Sequence, residues 1–354
     1  MLATSQIPTS AMGLGPAPKD TPSTTACGCS HASSSSSETP PYESKWKTTN
    51  PVSLTRESFL DLIYGRTPLI KEAQFISKDQ SQAVYEHLGP RFSPYLHATG
   101  PPVSKVGVAQ FEFQAQSQED FKNRSGNEKQ RYFNEVAKVR SLHDELATTV
   151  PGLNGENIWK KVIAAIQPLV PEWDVCLANE AFSSPSPSST TNLQETEYFS
   201  GIIRKINAGV PIHCDWAPYD TLTESWILSK ITHQAVFNLY LSPFTRGGST
   251  TVFDVQWSPD ALQYRDPSSY GYFEELVKGQ KQTTFQPEMG DLYFFNSRNM
   301  HTVAPLEEVN TLNGEGKVQD AQQQNFVPRM AMASFIGLLP AEVTGGKPKL
   351  MFWS

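Results

Sequence analysis

Residues 233–255 read HQAVFNLYLSPFTRGGSTTVFDV. Two runs rich in β-branched and aromatic residues flank Pro243 and the Gly247-Gly248 pair, with no room between them for a helix. This is the texture of two short strands joined by a turn. Strand alternation sets Phe237, Leu239 and Leu241 on one face and Asn238 and Tyr240 on the other. The same rhythm runs from residue 195 onward through EYFSGIIRKI, KQTTFQ, GDLYFFN and RMAMASFIGLL, each bounded by Gly, Pro or polar turns. Short strands without intervening helices disfavour a doubly wound parallel sheet. They predict an α+β chain in which a jelly roll carries N-terminal helices packed on it.

Upstream the pattern changes. SLTRESFLDLIYG has a Ser/Thr start signal and an apolar period near 3.6, which predicts a helix ended by Gly65. NEKQRYFNEVAKVRSLHDELATTV reads as a long amphipathic helix stopping before Pro151-Gly152. ENIWKKVIAAIQPLV reads as another, with Trp159, Val162, Ile163 and Ile166 on one stripe. Residues 1–45 hold Pro, Ser, Thr and Gly with few large apolar side chains, a composition that predicts a disordered tail. The expected organisation is therefore a tail (1–45), a mainly helical region (46–194) and a jelly-roll core (195–354), with a loop over SSPSPSSTT at 183–191.

The chain has 354 residues and a formal net charge of −7, and it contains no Lys/Arg-rich run. That balance argues against nucleic acid or an anionic membrane as partner and favours a small-molecule substrate. No apolar stretch reaches bilayer length, and the N-terminus lacks the basic and apolar segments of a secretory signal. Cys27, Cys29, Cys176 and Cys214 are too few and scattered for a disulfide framework, and CGC at 27–29 lacks partner pairs for zinc. A reduced cytoplasmic protein is the expectation.

The chemistry concentrates in GVPIHCDWAPYD, residues 209–220. His213 and Asp215 leave one loop with Cys214 between them. Imidazole plus carboxylate suits a divalent first-row metal, and a second histidine on the same face would complete a triad that leaves positions open. His-x-Asp alone is short enough to arise by chance, so the distal histidine is the test. GDLYFFNSRNMHTVAP supplies it: a Gly290-Asp291 turn, a strand, then His301 before another β-like step. His233 is the rival and reads as structural; His87, His97 and His143 lie in the helical part.

HCD, GDLYFFNSRNMH and NFVPRMAMASF together resemble the Fe(II)/2-oxoglutarate-dependent oxygenases over roughly residues 195–340. The resemblance implies a double-stranded β-helix, or jelly roll, with His213, Asp215 and His301 as iron ligands. It makes Arg329 the group that binds the far carboxylate of 2-oxoglutarate, a task its planar guanidinium fits. Two departures stand out. The spacing from His301 to Arg329 is long, the extra residues EEVNTLNGEGKVQDAQQQ reading as a polar excursion between strands. Ala331 also stands where the family often has Ser. Alternation groups Arg329, Ala331, Ala333 and Phe335 on one face and leaves Ser334 on the other, so no ligand role passes to Ser334. Asn238, Tyr240 and, more weakly, Thr251 are further candidates for 2-oxoglutarate. Trp216, Tyr219 and Phe335 are candidates for the substrate pocket.

The implied cofactors are Fe(II), 2-oxoglutarate and O2, and the implied reaction removes a hydrogen atom from a small substrate. The whole chain is similar to fungal secondary-metabolism members that act on amino acids, among them enzymes closing L-valine to an aziridine carboxylic acid. Hydroxylation and C–N ring closure are both open outcomes. A free amino acid needs partners for its carboxylate and amine, for which Arg246, Arg204 and Asp220 are available. The rivals are a zinc hydrolase on the same three side chains and a non-catalytic jelly-roll binding protein.

Overall fold

A computed structural model describes residues 44–95, 102–115, 118–123, 126–183, 193–221, 223–242, 246–307 and 327–354. Residues 1–43 of the expected tail, the CGC motif, His97, most of SSPSPSSTT and the excursion before Arg329 lie outside the described residues.

Strands numbered in chain order build two sheets. The larger runs β1 (Leu69–Glu72), β10 (Leu292–Phe295), β7 (His233–Tyr240), β12 (Met330–Leu339), β5 (Ile202–Ile206), β3 (Val103–Val106) and β2 (Ser93–Pro94), all antiparallel. The later half of β12 also pairs with β13 (Lys349–Trp353), which lies parallel to β4 (Asp174–Leu177). The smaller sheet runs β6 (Val210–His213), β11 (Asn299–Val303), β8 (Thr250–Gln256) and β9 (Gln282–Phe285). The β-rich runs read from the sequence after residue 195 each contain one of these strands. Four further strands, β1 to β4, come from before residue 195.

Alternation sorts the apolar side chains into two clusters, one on each face of the larger sheet. Leu69, Val236, Tyr240, Tyr293 and Phe295 meet Val252 and Phe285 of the smaller sheet, with Ala331 and Phe335 against them. This is the space between the sheets of a jelly-roll-like core. On the other face Phe237, Leu239, Phe294, Met332 and Ile336 share one buried cluster with helix residues Phe59, Leu62, Ile63, Val162 and Ile166. Burying each such side chain contributes about 1.5–3 kcal/mol.

The helices follow their sequence signals closely. Arg56–Ile63 starts from Thr55, whose hydroxyl accepts the Ser58 N–H in a capping box, and Gly65 follows at φ +73°. Ile158–Ile166 starts from Asn157, whose side chain accepts the Lys160 N–H at 2.9 Å. The expected long helix over 127–150 is instead two, Glu128–Val139 and Leu142–Thr149. The break falls at Arg140-Ser141, where serine competes poorly as a helix interior residue and Arg140 reaches Glu197 at 3.3 Å.

Candidate metal centre

The antiparallel pairing of β6 with β11 puts His213 directly opposite His301, with ring centroids 4.1 Å apart. Asp215 follows two residues after β6. Its backbone N–H donates to Ser297 O at 2.9 Å, and its Oδ2 lies 3.5 Å from His301 Nε2. One ligand atom from each of the three side chains lies within 4.8 Å of the others.

The rings are oriented for coordination. His213 Nδ1 lies 2.8 Å from Pro211 O and His301 Nδ1 lies 2.9 Å from Asn299 O. A carbonyl oxygen can only accept a hydrogen bond, so each Nδ1–H donates and Nε2 is the atom that each ring turns toward the ion site. Burial lowers the His213 pKa to about 4, with the neighbouring imidazole adding to the effect, so the ring is neutral at pH 7. Burial opposes ionisation of Asp215, but the His301 hydrogen bond and nearby positive charge, Arg204 included, hold its carboxyl below the usual range. Two imidazoles and a carboxylate make a donor set that fits Fe(II).

Gln234 of β7 braces this arrangement. Its Nε2 donates to Asp215 O at 3.0 Å and Ser297 Oγ at 3.1 Å, while its Oε1 accepts the Ala217 N–H at 3.0 Å. The Phe295 ring meets His301 edge-on at 5.0 Å, and Tyr270 meets His213 at 5.6 Å. The sequence reading missed both Gln234 and Tyr270. The only cue to Tyr270 was the glycine after it: a Cβ at Gly271 would stand 2.9 Å from the Pro211 Cβ, so the loop presses against β6.

Arg329 lies just before β12 and is buried. Its Nη1 donates to Gly248 O at 3.1 Å, and among the described residues no carboxylate lies within ion-pair distance of it. Gly247, at φ +69°, lets this turn close: a Cβ there would meet Pro305 O at 2.3 Å. Tyr240 faces the same interior, edge-on to Tyr293 at 5.7 Å and coupled to Arg329 and Thr250. Asn238 stands between Ala333 and Tyr293 across the sheet and is partly accessible.

One expectation is corrected. Thr251 points out of the barrel and bonds Thr284 Oγ1 at 2.8 Å. Val252 is the residue opposite His301, so its neighbour-but-one Thr250 shares the inner face. Trp216 is buried in the large core under the Arg298 guanidinium, 4.6 Å from its ring. Tyr219, partly buried, packs on Trp257 at 4.4 Å. Phe335 does lie on the inner face, partly accessible, 6.0 Å from the Arg204 guanidinium. His233 is edge-on to Tyr64 at 4.9 Å, outside the metal cluster, as read. Ser334 bonds Ser200 and the Trp353 carbonyl.

No family model matches the chain. Leucinostatins biosynthesis cluster protein S of Purpureocillium lilacinum is 31% identical over 258 residues, covering 72% of this chain and 86% of that protein. L-gamma-glutamyl-L-propargylglycine hydroxylase of Streptantibioticus cattleyicolor is 32% identical over 111 residues, 30% of this chain and 39% of that protein. Among solved structures, an N-substituted L-amino acid dioxygenase from Burkholderia ambifaria aligns over 84% of this chain and 92% of its own, at 14% identity and a TM-score of 0.49. Matched across most of the leucinostatin-cluster protein and carrying His213, Asp215 and His301 gathered at one point, the chain belongs to the Fe(II)/2-oxoglutarate-dependent oxygenases.

Proposed function

We propose that the protein oxidises a small amino-acid-type substrate, such as L-valine, by hydroxylation or by oxidative C–N ring closure to an aziridine, in secondary metabolism. One observation carries the reading: three ligand side chains converge on one point, in a core where the buried guanidinium of Arg329 has no carboxylate within ion-pair distance among the described residues. His213, Asp215 and His301 would hold the iron and Arg329 the far carboxylate of 2-oxoglutarate. Bound there, Fe(II) supplies the redox chemistry that couples decarboxylation of 2-oxoglutarate by O2 to removal of a hydrogen atom from an unactivated C–H bond.

The chain's own residues supply position and exclusion. Arg329 offers a fork that fixes the carboxylate in one orientation, with Tyr240 and Thr250 beside it and Asn238 further along the same face. The apolar cluster of Val236, Val252, Phe285 and Phe295 keeps bulk water out. Support for an amino-acid-type substrate comes from the relatives, one a hydroxylase named for a γ-glutamyl amino acid. Cys176 and Cys214 are free thiols, in keeping with a reducing cytoplasm that also keeps iron ferrous.

Anaerobic addition of Fe(II) and 2-oxoglutarate to the purified protein should give the weak visible charge-transfer band of the chelate. Its absence with His301 intact would refute the assignment. Succinate release across a panel of free and N-acylated amino acids then tests the substrate class, and a panel without a single stimulating member rejects it.

A further inference from the structure

One row of side chains crosses the inner face of the larger sheet. Lys105 stands opposite Arg204, Arg204 opposite Ala331, and Ala331 opposite Tyr240, on β3, β5, β12 and β7. Directly paired residues project to the same side. The Lys105 charge is matched, its Nζ lying 2.7 Å from the buried Glu112 carboxylate. The Arg204 charge is not. Among the described residues its buried Nε has no hydrogen-bond partner, and no carboxylate lies within ion-pair distance of it.

The Tyr95 hydroxyl is a second buried donor: its oxygen faces the Arg204 guanidinium, which can only donate, and its O–H has no acceptor among the described residues. Tyr95 borders β3 through its N–H to Val103 O, and its ring lies beneath the Lys105 ammonium. Its hydroxyl sits beside Arg204 and feels the charge of Asp215, as Arg204 itself does. Leaving a buried donor unpaired costs about 1–3 kcal/mol, and more for a charged group. Two such donors side by side, within electrostatic reach of the ligand Asp215, are explained by an anion that takes both. Arg329 lies two residues before Ala331, just ahead of β12, so the cation proposed for 2-oxoglutarate is already accounted for and Arg204 is a second one. Around it Ala331 and Phe335 are partly accessible, which leaves room on this face for a small molecule.

We infer that Arg204 and Tyr95 bind a carboxylate of the substrate, which fixes that end of the molecule beside the metal centre. The inference rests on the proposed amino-acid-type substrate and narrows it: the substrate carries a free carboxylate, and the matching carboxamide is rejected. Of the two basic groups available by sequence for a carboxylate, Arg246 is exposed, so Arg204 is the one placed for the task.

The test uses the Fe(II)-loaded full chain with 2-oxoglutarate and a panel of L-amino acids, their γ-glutamyl and N-acyl forms, and the corresponding carboxamides. If no carboxylate in the panel stimulates succinate release by the unaltered protein, the amino-acid reading itself falls. If one does, Arg204→Gln should raise its KM roughly 10–100-fold and Tyr95→Phe roughly 3–10-fold, with the KM for 2-oxoglutarate unchanged. Arg204→Gln should also erase the preference for acid over amide, and Arg204→Lys should restore part of it. Anaerobic calorimetry of the same acid on the Fe(II)/2-oxoglutarate complex should show the same weakening without turnover. Retained discrimination in a folded Arg204→Gln protein, or a rise in the KM for 2-oxoglutarate instead, overturns the inference. Should Arg204→Gln fail to fold, Arg204→Lys and Tyr95→Phe decide it by the same acid/amide comparison.

Discussion

At the scale of single residues, the site's chemistry rests on which atoms are already engaged. His213 and His301 each commit Nδ1 to a backbone carbonyl, so only Nε2 can coordinate. Replacing His301 by Ala should abolish stoichiometric Fe(II) binding and lower succinate formation by more than about 100-fold, while circular dichroism stays native. Retained iron would show that the three groups are a hydrogen-bonded cluster only. For Arg329, the fork matters beyond the charge. Arg329→Lys should raise the KM for 2-oxoglutarate roughly 10-fold and Arg329→Leu roughly 100-fold or more, as steady-state kinetics would read. These residues were legible in the sequence because their types are chemically scarce: seven histidines in 354 residues leave few ways to complete a metal triad. Arg204 was not assignable. It adjoins Lys205, and only the pairing with Ala331 shows which of the two basic side chains faces inward.

At the scale of elements, β7 does two jobs through one alternation. Phe237 and Leu239 bind it to the helix-covered core while Val236, Asn238 and Tyr240 face the barrel. Gln234 near its start ties the loop bearing Asp215 to the β10–β11 turn. Gln234→Ala should therefore weaken Fe(II) binding roughly 10–100-fold in a metal titration, with a much smaller loss for Ser229→Ala, whose hydroxyl only closes a local turn on Trp226 O. Gly201, entering β5 at φ +83°, shows a different constraint. A Cβ there would stand 2.5 Å from His143 Nε2 and 2.6 Å from Trp159 Cδ1. Gly201→Ala should cost about 2–4 kcal/mol, read as a lower denaturant midpoint. The longer strands were readable because β-branched and aromatic residues recur between turn residues. β1 to β4, with two to four residues each, are too short to display a period, and their partners lie far along the chain. The Thr251 error has the same root: STTVF holds two adjacent threonines, and only the register of Val252 against His301 selects Thr250 as the inward one.

At the scale of the whole molecule, stability should depend on pH through a histidine far from the ligands in sequence. His143 lies between the rings of Trp159 and Phe199 and bonds Ser200 O at 3.0 Å. Burial lowers its pKa to about 4, against about 6.5 in an unfolded chain. The unfolded chain then binds the extra proton more readily, so the stabilising effect is complete above pH 6.5 and is lost as pH falls toward 4. The loss should reach up to about 3 kcal/mol in urea titrations. His143→Asn should flatten that dependence between pH 4 and 6.5; an unchanged slope would assign it to other groups. The metal centre itself leads to a different expectation. Because the two imidazoles are neighbours on one hydrogen-bonded strand pair, the backbone ladder fixes their spacing whether or not an ion is present, and only Asp215 rides on a loop. The protein is thus a rigid socket that can be stripped with a chelator and refilled. Nickel, cobalt or manganese should seat in place of iron without refolding, which makes redox-silent forms accessible for trapping substrate in crystals.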